Sequence, residues 1–149
     1  MAPSSTPFES RLRLFCQASV VYFARFSLFL IYFWFGCLKI LDLSPATPLV
    51  LDLFNKTLAP LMSFDVFMPA FGLFECLIGI LFLIPRLEKP AAALTLIHLF
   101  TTAGPLILLP SHTWQGFMVP TMEAQYILKN FLIIVSVMVV LGFRKNPSS

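Results

Sequence analysis

The chain has 149 residues, of which 58% are hydrophobic and only 11% are charged. Because soluble domains carry about 25% charged residues, this composition excludes an ordinary soluble protein and indicates an integral membrane protein whose first partner is the lipid bilayer. The net charge of +3 comes from basic residues that mostly flank apolar runs, which makes them topology signals and not a surface for nucleic acid.

Four apolar segments are each close to the roughly 20 residues that cross the hydrocarbon core of a membrane. Prolines lie at the edges of these segments, where they start and stop helices. We therefore predict an all-α membrane protein, a four-transmembrane-helix bundle that forms a single domain over residues 1–149. The predicted spans are residues 19–41, 66–84, 91–109 and 122–143.

Two of these spans carry additional signals. The first follows Arg11 and Arg13, as a secretory signal would, but its apolar run exceeds the about 7–15 residues of a signal sequence. We therefore expect it to be retained as a transmembrane helix. The third span contains Pro105 directly after Gly104, so we expect this helix to bend or break near its end.

The loop between the first two spans, SPATPLVLDLFNKTLAPLMSF, is too polar and too rich in proline to cross a membrane. Its apolar residues recur near helical spacing, while Asp52, Asn55 and Lys56 face elsewhere. This pattern predicts a short amphipathic helix, which is either a connector that rests on the lipid or a lid over an outward-facing cavity. The apolar residues are Leu49, Val50, Leu53, Phe54 and Leu58.

The basic residues fall on one side of the predicted four-span arrangement, and the loops on the opposite side hold only Lys56. By the positive-inside rule, we expect both termini and the connection between the second and third spans to be cytoplasmic. The basic residues on that side are Arg11, Arg13, Arg86, Lys89, Arg144 and Lys145.

Ionisable residues inside the spans are the main functional signal, because such residues are rare in lipid and usually face the interior of a bundle. Arg25, Tyr32 and Lys39 are spaced by seven and so share one helix face. We expect Arg25 either to reach the nearer membrane surface or to form a structural ion pair. We expect Lys39 either to reach the outer surface or to meet Glu75 or Glu123 inside the bundle.

Glu75 lies in the middle of the stretch FGLFECLIGILFL, where its side chain cannot reach either membrane surface. It must therefore be protonated or paired with a base. A structural ion pair, a proton-carrying carboxyl group and a group that orients a ligand all remain open. The candidate bases are Lys39, Lys129 and Arg25.

The fourth span opens with the polar stretch TMEAQYILKN. Glu123, Tyr126 and Asn130 share one helix face, and Gln125 and Lys129 share a second. These polar groups exceed what a stable membrane helix needs, so four of them join the candidates for binding a ligand or relaying a proton. Those candidates are Glu123, Tyr126, Lys129 and Asn130.

His98 is the titratable residue of the third span, where it is either a satisfied core residue or a ligand or proton-relay group. Because no second histidine stands at ligand spacing and no Cys/His cluster occurs, we predict no metal site. The cysteines Cys16, Cys37 and Cys76 show no CxxC spacing, so we interpret them as small apolar residues of the core. A redox pair between Cys37 and Cys76 remains open.

Three motifs, taken in order, resemble those of the DoxX-like family of small bacterial membrane proteins, including its branch linked to reactive-chlorine resistance. The family patterns are approximately W-x-G-x-x-K, G-x-x-E-x-x-x-G and E-G-x-Y-x-x-K-N/D. The chain departs from the last pattern at Ala124, where the family often has glycine. The matching residues are Trp34, Gly36 and Lys39; Gly72, Glu75 and Gly79; and Glu123, Tyr126, Lys129 and Asn130.

The resemblance implies a four-helix bundle in the bacterial cytoplasmic (inner) membrane and a redox setting without a defined reaction. Some members are named as subunits of a thiosulfate:quinone oxidoreductase, and others are tied to oxidative-stress complexes. We therefore expect a redox- or oxidative-stress-associated subunit that holds a quinone or similar small molecule near Lys39, Glu75, Glu123 and Lys129.

The sequence shows no motif that binds haem, flavin or an iron–sulfur cluster, so no cofactor is evident beyond a quinone. Electrons would come from a membrane or redox partner protein, or from a small reductant, and whether the chain is itself an enzyme stays open. Two alternatives remain. One is a small proton-coupled transporter, which would need homo-oligomerisation or large helix motion because no inverted repeat is visible. The other is a structural or assembly subunit of a membrane complex.

Overall fold

The computed structural model describes residues 6–143, and helices take up 79% of these residues. Four helical segments are long and apolar enough to cross a membrane, which confirms the predicted all-α bundle and makes this a multi-pass membrane protein. The predicted basic flank Arg144 and Lys145 lies outside the described residues. The spanning helices are α1 (Pro7–Ile40), α3 (Phe64–Leu83), α4 (Glu88–Thr102) continued by α5 (Pro105–Leu108), and α7 (Met122–Gly142).

Helix α1 begins at Pro7, well before the predicted start of the first span at residue 19. A capping box explains the early start, because Thr6 accepts a hydrogen bond from the backbone N–H of Glu9 while the Glu9 carboxylate accepts one from the backbone N–H of Thr6. The polar turns around Arg11 and Arg13 are therefore helical although they are not apolar.

The third span begins at Glu88 and not at residue 91, because Pro90 lies in the first turn, where a helix needs no donor from the proline nitrogen. The predicted break is present. Helix α4 ends at Thr102, and Pro105 starts the separate turn of α5. The hydroxyl groups of Thr101 and Thr102 donate hydrogen bonds to the His98 carbonyl, which satisfies a backbone acceptor near this break.

The connections on the side opposite the start of α1 are structured. They comprise α2 (Thr47–Thr57), α6 (Pro110–Thr113) and an antiparallel hairpin of β1 (Trp114–Gly116) with β2 (Val119–Pro120). In the hairpin, Trp114 lies opposite Pro120. The sequence did not predict these strands, because two or three residues are too few to show the alternation of a strand.

Helix α2 is the predicted amphipathic helix, and it is anchored by one aromatic side chain. Phe54 is only 4% exposed, and its ring centre lies 5.4 Å from that of Phe64 and 5.1 Å from that of Phe67. The Lys56 ammonium also donates a hydrogen bond to the Leu108 carbonyl at 3.0 Å. These contacts fix α2 against the ends of α3 and α5.

We expect Phe54→Ala to release α2 from the bundle, because the substitution removes most of a buried aromatic contact and costs about 3 kcal/mol of local stability. Hydrogen exchange of the α2 amides should rise strongly in the variant. Leu61→Ala is the control, because Leu61 is 76% exposed. Equal exchange of α2 in the wild type and Phe54→Ala would show that Phe54 does not anchor the helix.

The seam between α1 and α3 is unusually close, and glycines permit it. A Cβ atom added at Gly36 would lie 2.6 Å from the Gly72 carbonyl oxygen, and one added at Gly72 would lie 2.6 Å from the Gly36 carbonyl oxygen. Gly79 similarly faces the Phe33 backbone, with its added Cβ 3.0 Å from the Phe33 nitrogen. The close approach that small residues allow in membranes places Lys39 beside α3.

Candidate functional site

Glu75 lies inside the bundle between two potential cations. Its Oε2 atom accepts a hydrogen bond from the Lys39 ammonium at 2.5 Å, and its Oε1 atom lies 2.7 Å from Nε2 of His98. The three residues are 4%, 6% and 7% exposed, in the order Glu75, Lys39, His98. Helices α1, α3 and α4 each contribute one member, which we call the Lys39–Glu75–His98 cluster.

The Lys39 side chain is long enough to reach the nearer membrane surface, because Lys39 is the penultimate residue of α1. Instead it runs inward, past the Cβ-free Gly72 and over the Phe71 ring, whose centre lies 5.4 Å from Nζ. Glu75 lies about 12 Å from the nearer end of α3, at 1.5 Å per residue, so its short side chain cannot reach the membrane surface. The longer lysine side chain therefore extends to the carboxylate.

His98 has partners on both ring nitrogens. Its Nε2 atom faces Glu75, and its Nδ1 atom lies 3.4 Å from the Tyr32 hydroxyl. Because a carboxylate only accepts hydrogen bonds, Nε2 is the nitrogen that donates to Glu75, while the Tyr32 hydroxyl lies on the Nδ1 side of the ring. Phe71 stacks on the imidazole ring with centres 5.3 Å apart and an interplanar angle of 14°.

The hydrogen bonds of the cluster determine which of its groups could meet a ligand. The Lys39 ammonium carries three donors, and Glu75 accepts from one of them. Both carboxylate oxygens of Glu75 are occupied, one by Lys39 and one by His98. A ligand beside the cluster would therefore find hydrogen-bond donors of Lys39 before a free oxygen of Glu75.

The structure does not bring the candidates of the fourth span into this cluster. Between residues 6 and 143, no hydrogen bond or ion pair joins Glu123, Tyr126, Lys129 or Asn130 to it. Tyr126 is 63% exposed, and the Lys129 ammonium lies 5.0 Å from the centre of its ring. The buried face of α7 instead passes through Ala124, Val137 and Val140. Three of the four candidates, Glu123, Tyr126 and Lys129, are exposed, and Asn130 is half-buried.

Arg25 forms an ion pair with Glu88 and donates a second hydrogen bond to the Phe82 carbonyl at 3.1 Å. Glu88 is only 3% exposed, and sequence reasoning missed it because Arg86 and Lys89 flank it and suggest a solvated loop. Its position in the chain was the available signal, since the third span begins on the same side of the bundle as Arg25. This pair fastens α1 to the start of α4 at the end of the bundle away from Lys39.

The described part of the chain holds no group of three or more His, Cys, Asp or Glu side chains placed to bind a metal ion. Trp34, which belongs to the first of the three motifs, is 61% exposed on the outer face of α1. There it lines a shallow apolar groove together with Leu30, Ile31 and Phe35.

Comparison of the chain with protein-family models, with curated proteins and with solved structures finds no match. A function must therefore be argued from the residues and their geometry.

Proposed function

We propose that this chain is a DoxX-like, redox- or oxidative-stress-associated subunit of the bacterial inner membrane. In it, the Lys39–Glu75–His98 cluster exchanges a proton with a quinone or similar small amphiphile. One observation carries the proposal: a carboxylate in the middle of α3 is held between an ammonium and an imidazole, each within 2.7 Å. A bundle that needed only stability could use apolar residues at these positions at no loss.

The chemistry of a quinone matches the donors of the cluster. Quinone oxygens accept hydrogen bonds, and Lys39 and His98 both carry donors. Reduction of a quinone to its hydroquinone consumes two electrons and two protons, so a nearby group that gives a proton lowers the barrier to the step. The electrons would come from a partner protein or a small reductant.

Phe71 marks where a ring would bind. It is half-buried and lies parallel to His98 on the side that leads, through its stack with Phe67 at 5.5 Å, toward α2. Movement of Phe71 would free the imidazole face for a quinone ring of similar size. Helix α2, anchored through Phe54, would then serve as the lid over this entrance.

The orientation of the chain belongs to the same proposal. Arg11 and Arg13 precede the first span, and Arg86 and Lys89 lie at the connection between α3 and α4. This bias supports a cytoplasmic location for that side and for both termini. Lys39, at the far end of α1, would then enter the membrane from the outer side.

The test is equilibrium binding of decylubiquinone to the protein in lipid nanodiscs. The charged and titratable groups that face the ligand would be Lys39 and Tyr32 of α1, Glu75 of α3 and His98 of α4. Because quinone oxygens only accept hydrogen bonds, we expect the Lys39 ammonium to donate to the bound ring. Saturable binding at a single class of sites is the expected result.

Glu75→Gln should weaken the binding of decylubiquinone by about tenfold or more, because the neutral amide loses the charge-assisted hydrogen bonds that hold Lys39 and His98 in place. Asp65→Asn is the matched control, an exposed carboxylate in the first turn of the same helix, and it should bind as the wild type does. Equal binding by Glu75→Gln and the wild type would refute the proposed role.

A structural or assembly role is the second candidate, because both carboxylate oxygens of Glu75 are already satisfied within the bundle. That role predicts that a folded Lys39→Met/Glu75→Gln variant supports the growth of its host under oxidative stress as the wild type does. The redox role predicts that the folded double variant loses this protection.

A further inference from the structure

Cys37 of α1 and Cys76 of α3 meet across the seam between their helices. Their Sγ atoms are 3.8 Å apart, and both cysteines are free thiols. Cys76 is 7% exposed and also points its thiol at the Phe33 carbonyl at 3.6 Å, whereas Cys37 is partly exposed. The two thiols therefore touch, with one buried and one within reach of the membrane.

The close approach of the α1 and α3 backbones at Gly36 and Gly72 keeps the two sulfur atoms near each other. A Cβ atom at Gly36 would lie 2.7 Å from the Cys76 sulfur, so only glycine leaves room for that thiol. A disulfide has its sulfur atoms about 2.05 Å apart, which the pair can reach by rotating the two side chains and closing the remaining gap of less than about 2 Å. Two cysteines on separate helices rarely meet this requirement by composition alone.

The pair adjoins both the polar cluster and the lipid. Cys76 follows Glu75, and Cys37 stands two residues before Lys39, so the thiol pair and the ion pair are neighbours on one seam. Cys37 is half-buried and directly follows Gly36, which faces Gly72 across the seam, and Gly72 is the neighbour of Phe71 in α3. A quinone bound beside Phe71 would therefore lie on the seam that carries the thiol pair.

We propose that Cys37 and Cys76 form a reversible dithiol–disulfide pair that delivers two electrons to a quinone; this inference rests on the proposed redox function. Two S–H bonds break and one S–S bond forms, so the thiols lose two electrons and two protons. The two carbonyl oxygens of the quinone gain the same two electrons and two protons, which gives the hydroquinone. A dithiol reductant resets the pair by thiol–disulfide exchange.

Cys37 and Cys76 have different roles in this reaction because they differ in exposure. The Cys37 sulfur, at the membrane-facing edge, adds to a ring carbon of the quinone and forms a C–S bond. The buried Cys76 sulfur then attacks the Cys37 sulfur, so that the S–S bond forms, the C–S bond breaks and its electron pair stays on the ring. The two thiol protons pass to the two quinone oxygens beside the Lys39–Glu75–His98 cluster. Oxidation also ties α1 to α3 beside the ion pair.

The experiment uses the full chain in lipid nanodiscs, reduced and then freed of reductant, with decylubiquinone as the oxidant. Intact mass spectrometry should show the loss of two hydrogen atoms, peptide mapping should join Cys37 to Cys76, and one decylubiquinol should form per disulfide. Cys16 is the internal control, because it is exposed on α1 with no thiol partner among residues 6–143 and should stay reduced. Cys16→Ser should react as the wild type does.

Three free thiols after decylubiquinone treatment, or a cross-link that involves Cys16, would overturn the inference. Cys76→Ser and Cys76→Ala, each verified to keep wild-type helicity, should bind decylubiquinone without reducing it, and continued reduction by both would also overturn it. If the wild type binds decylubiquinone but keeps its thiols, this inference fails while the proposed function stands. If the wild type does not bind decylubiquinone at all, both fail together.

Discussion

Lys39→Met is expected to destabilise the bundle by about 3–5 kcal/mol, because it leaves the Glu75 carboxylate buried without its ammonium partner. The double variant Lys39→Met/Glu75→Gln should be considerably more stable than Lys39→Met, because it removes both charges and keeps a side chain that can bond to His98. The measurement is unfolding of the protein in mixed micelles with increasing SDS, followed by circular dichroism.

The control for this cycle is Lys89→Met, which removes an exposed lysine that has no ion-pair partner in residues 6–143. Its stability should stay within about 0.5 kcal/mol of the wild type. The coupling energy between Lys39 and Glu75 should be at least about 2 kcal/mol. A double variant that loses the sum of the two single effects would mean that the two residues do not interact.

Gly36→Ala is expected to destabilise the protein by about 1–3 kcal/mol, because its new methyl group would lie 2.6 Å from the Gly72 carbonyl oxygen and force α1 and α3 apart. The same separation should lower the yield of the Cys37–Cys76 disulfide. Unfolding in SDS micelles and thiol counting after mild oxidation measure the two effects on the same sample.

Gly142→Ala makes the same chemical change in open space, because no atom lies within 4 Å of a Cβ added there. Alanine favours helix over glycine by up to about 1 kcal/mol, so this control should be neutral or slightly more stable than the wild type. If Gly36→Ala behaves like Gly142→Ala, the seam is not closely packed and the position of Lys39 beside α3 loses its basis.

The transmembrane helices could be predicted from the sequence because a membrane imposes one simple rule, a long apolar run closed by breakers. That rule says nothing about polar helix turns beyond the apolar run. The start of α1 at Pro7 depends on its capping box, and the start of α4 at Glu88 depends on Pro90 being accommodated in the first turn. The hairpin between Trp114 and Pro120 is too short to leave a periodic signal.

The pairing of Lys39 with Glu75 was predictable because neither charge is tolerable alone in lipid. The contact of His98 with Glu75 was not predictable, since the position of His98 in the chain does not reveal which of the three other spanning helices its side chain faces. The orientation of α7 has the same limit. Periodicity shows that Glu123 and Tyr126 share a face but not that Ala124 carries the face that packs inward.

Native mass spectrometry of the protein released gently from its own membranes tests the central claim most directly, with the wild type and Glu75→Gln compared. If the Lys39–Glu75–His98 cluster serves a quinone, the wild type should retain one quinone per chain and Glu75→Gln should lose it. A wild type that carries a partner protein but no quinone would contradict the claim and identify the cluster as part of the architecture of the bundle.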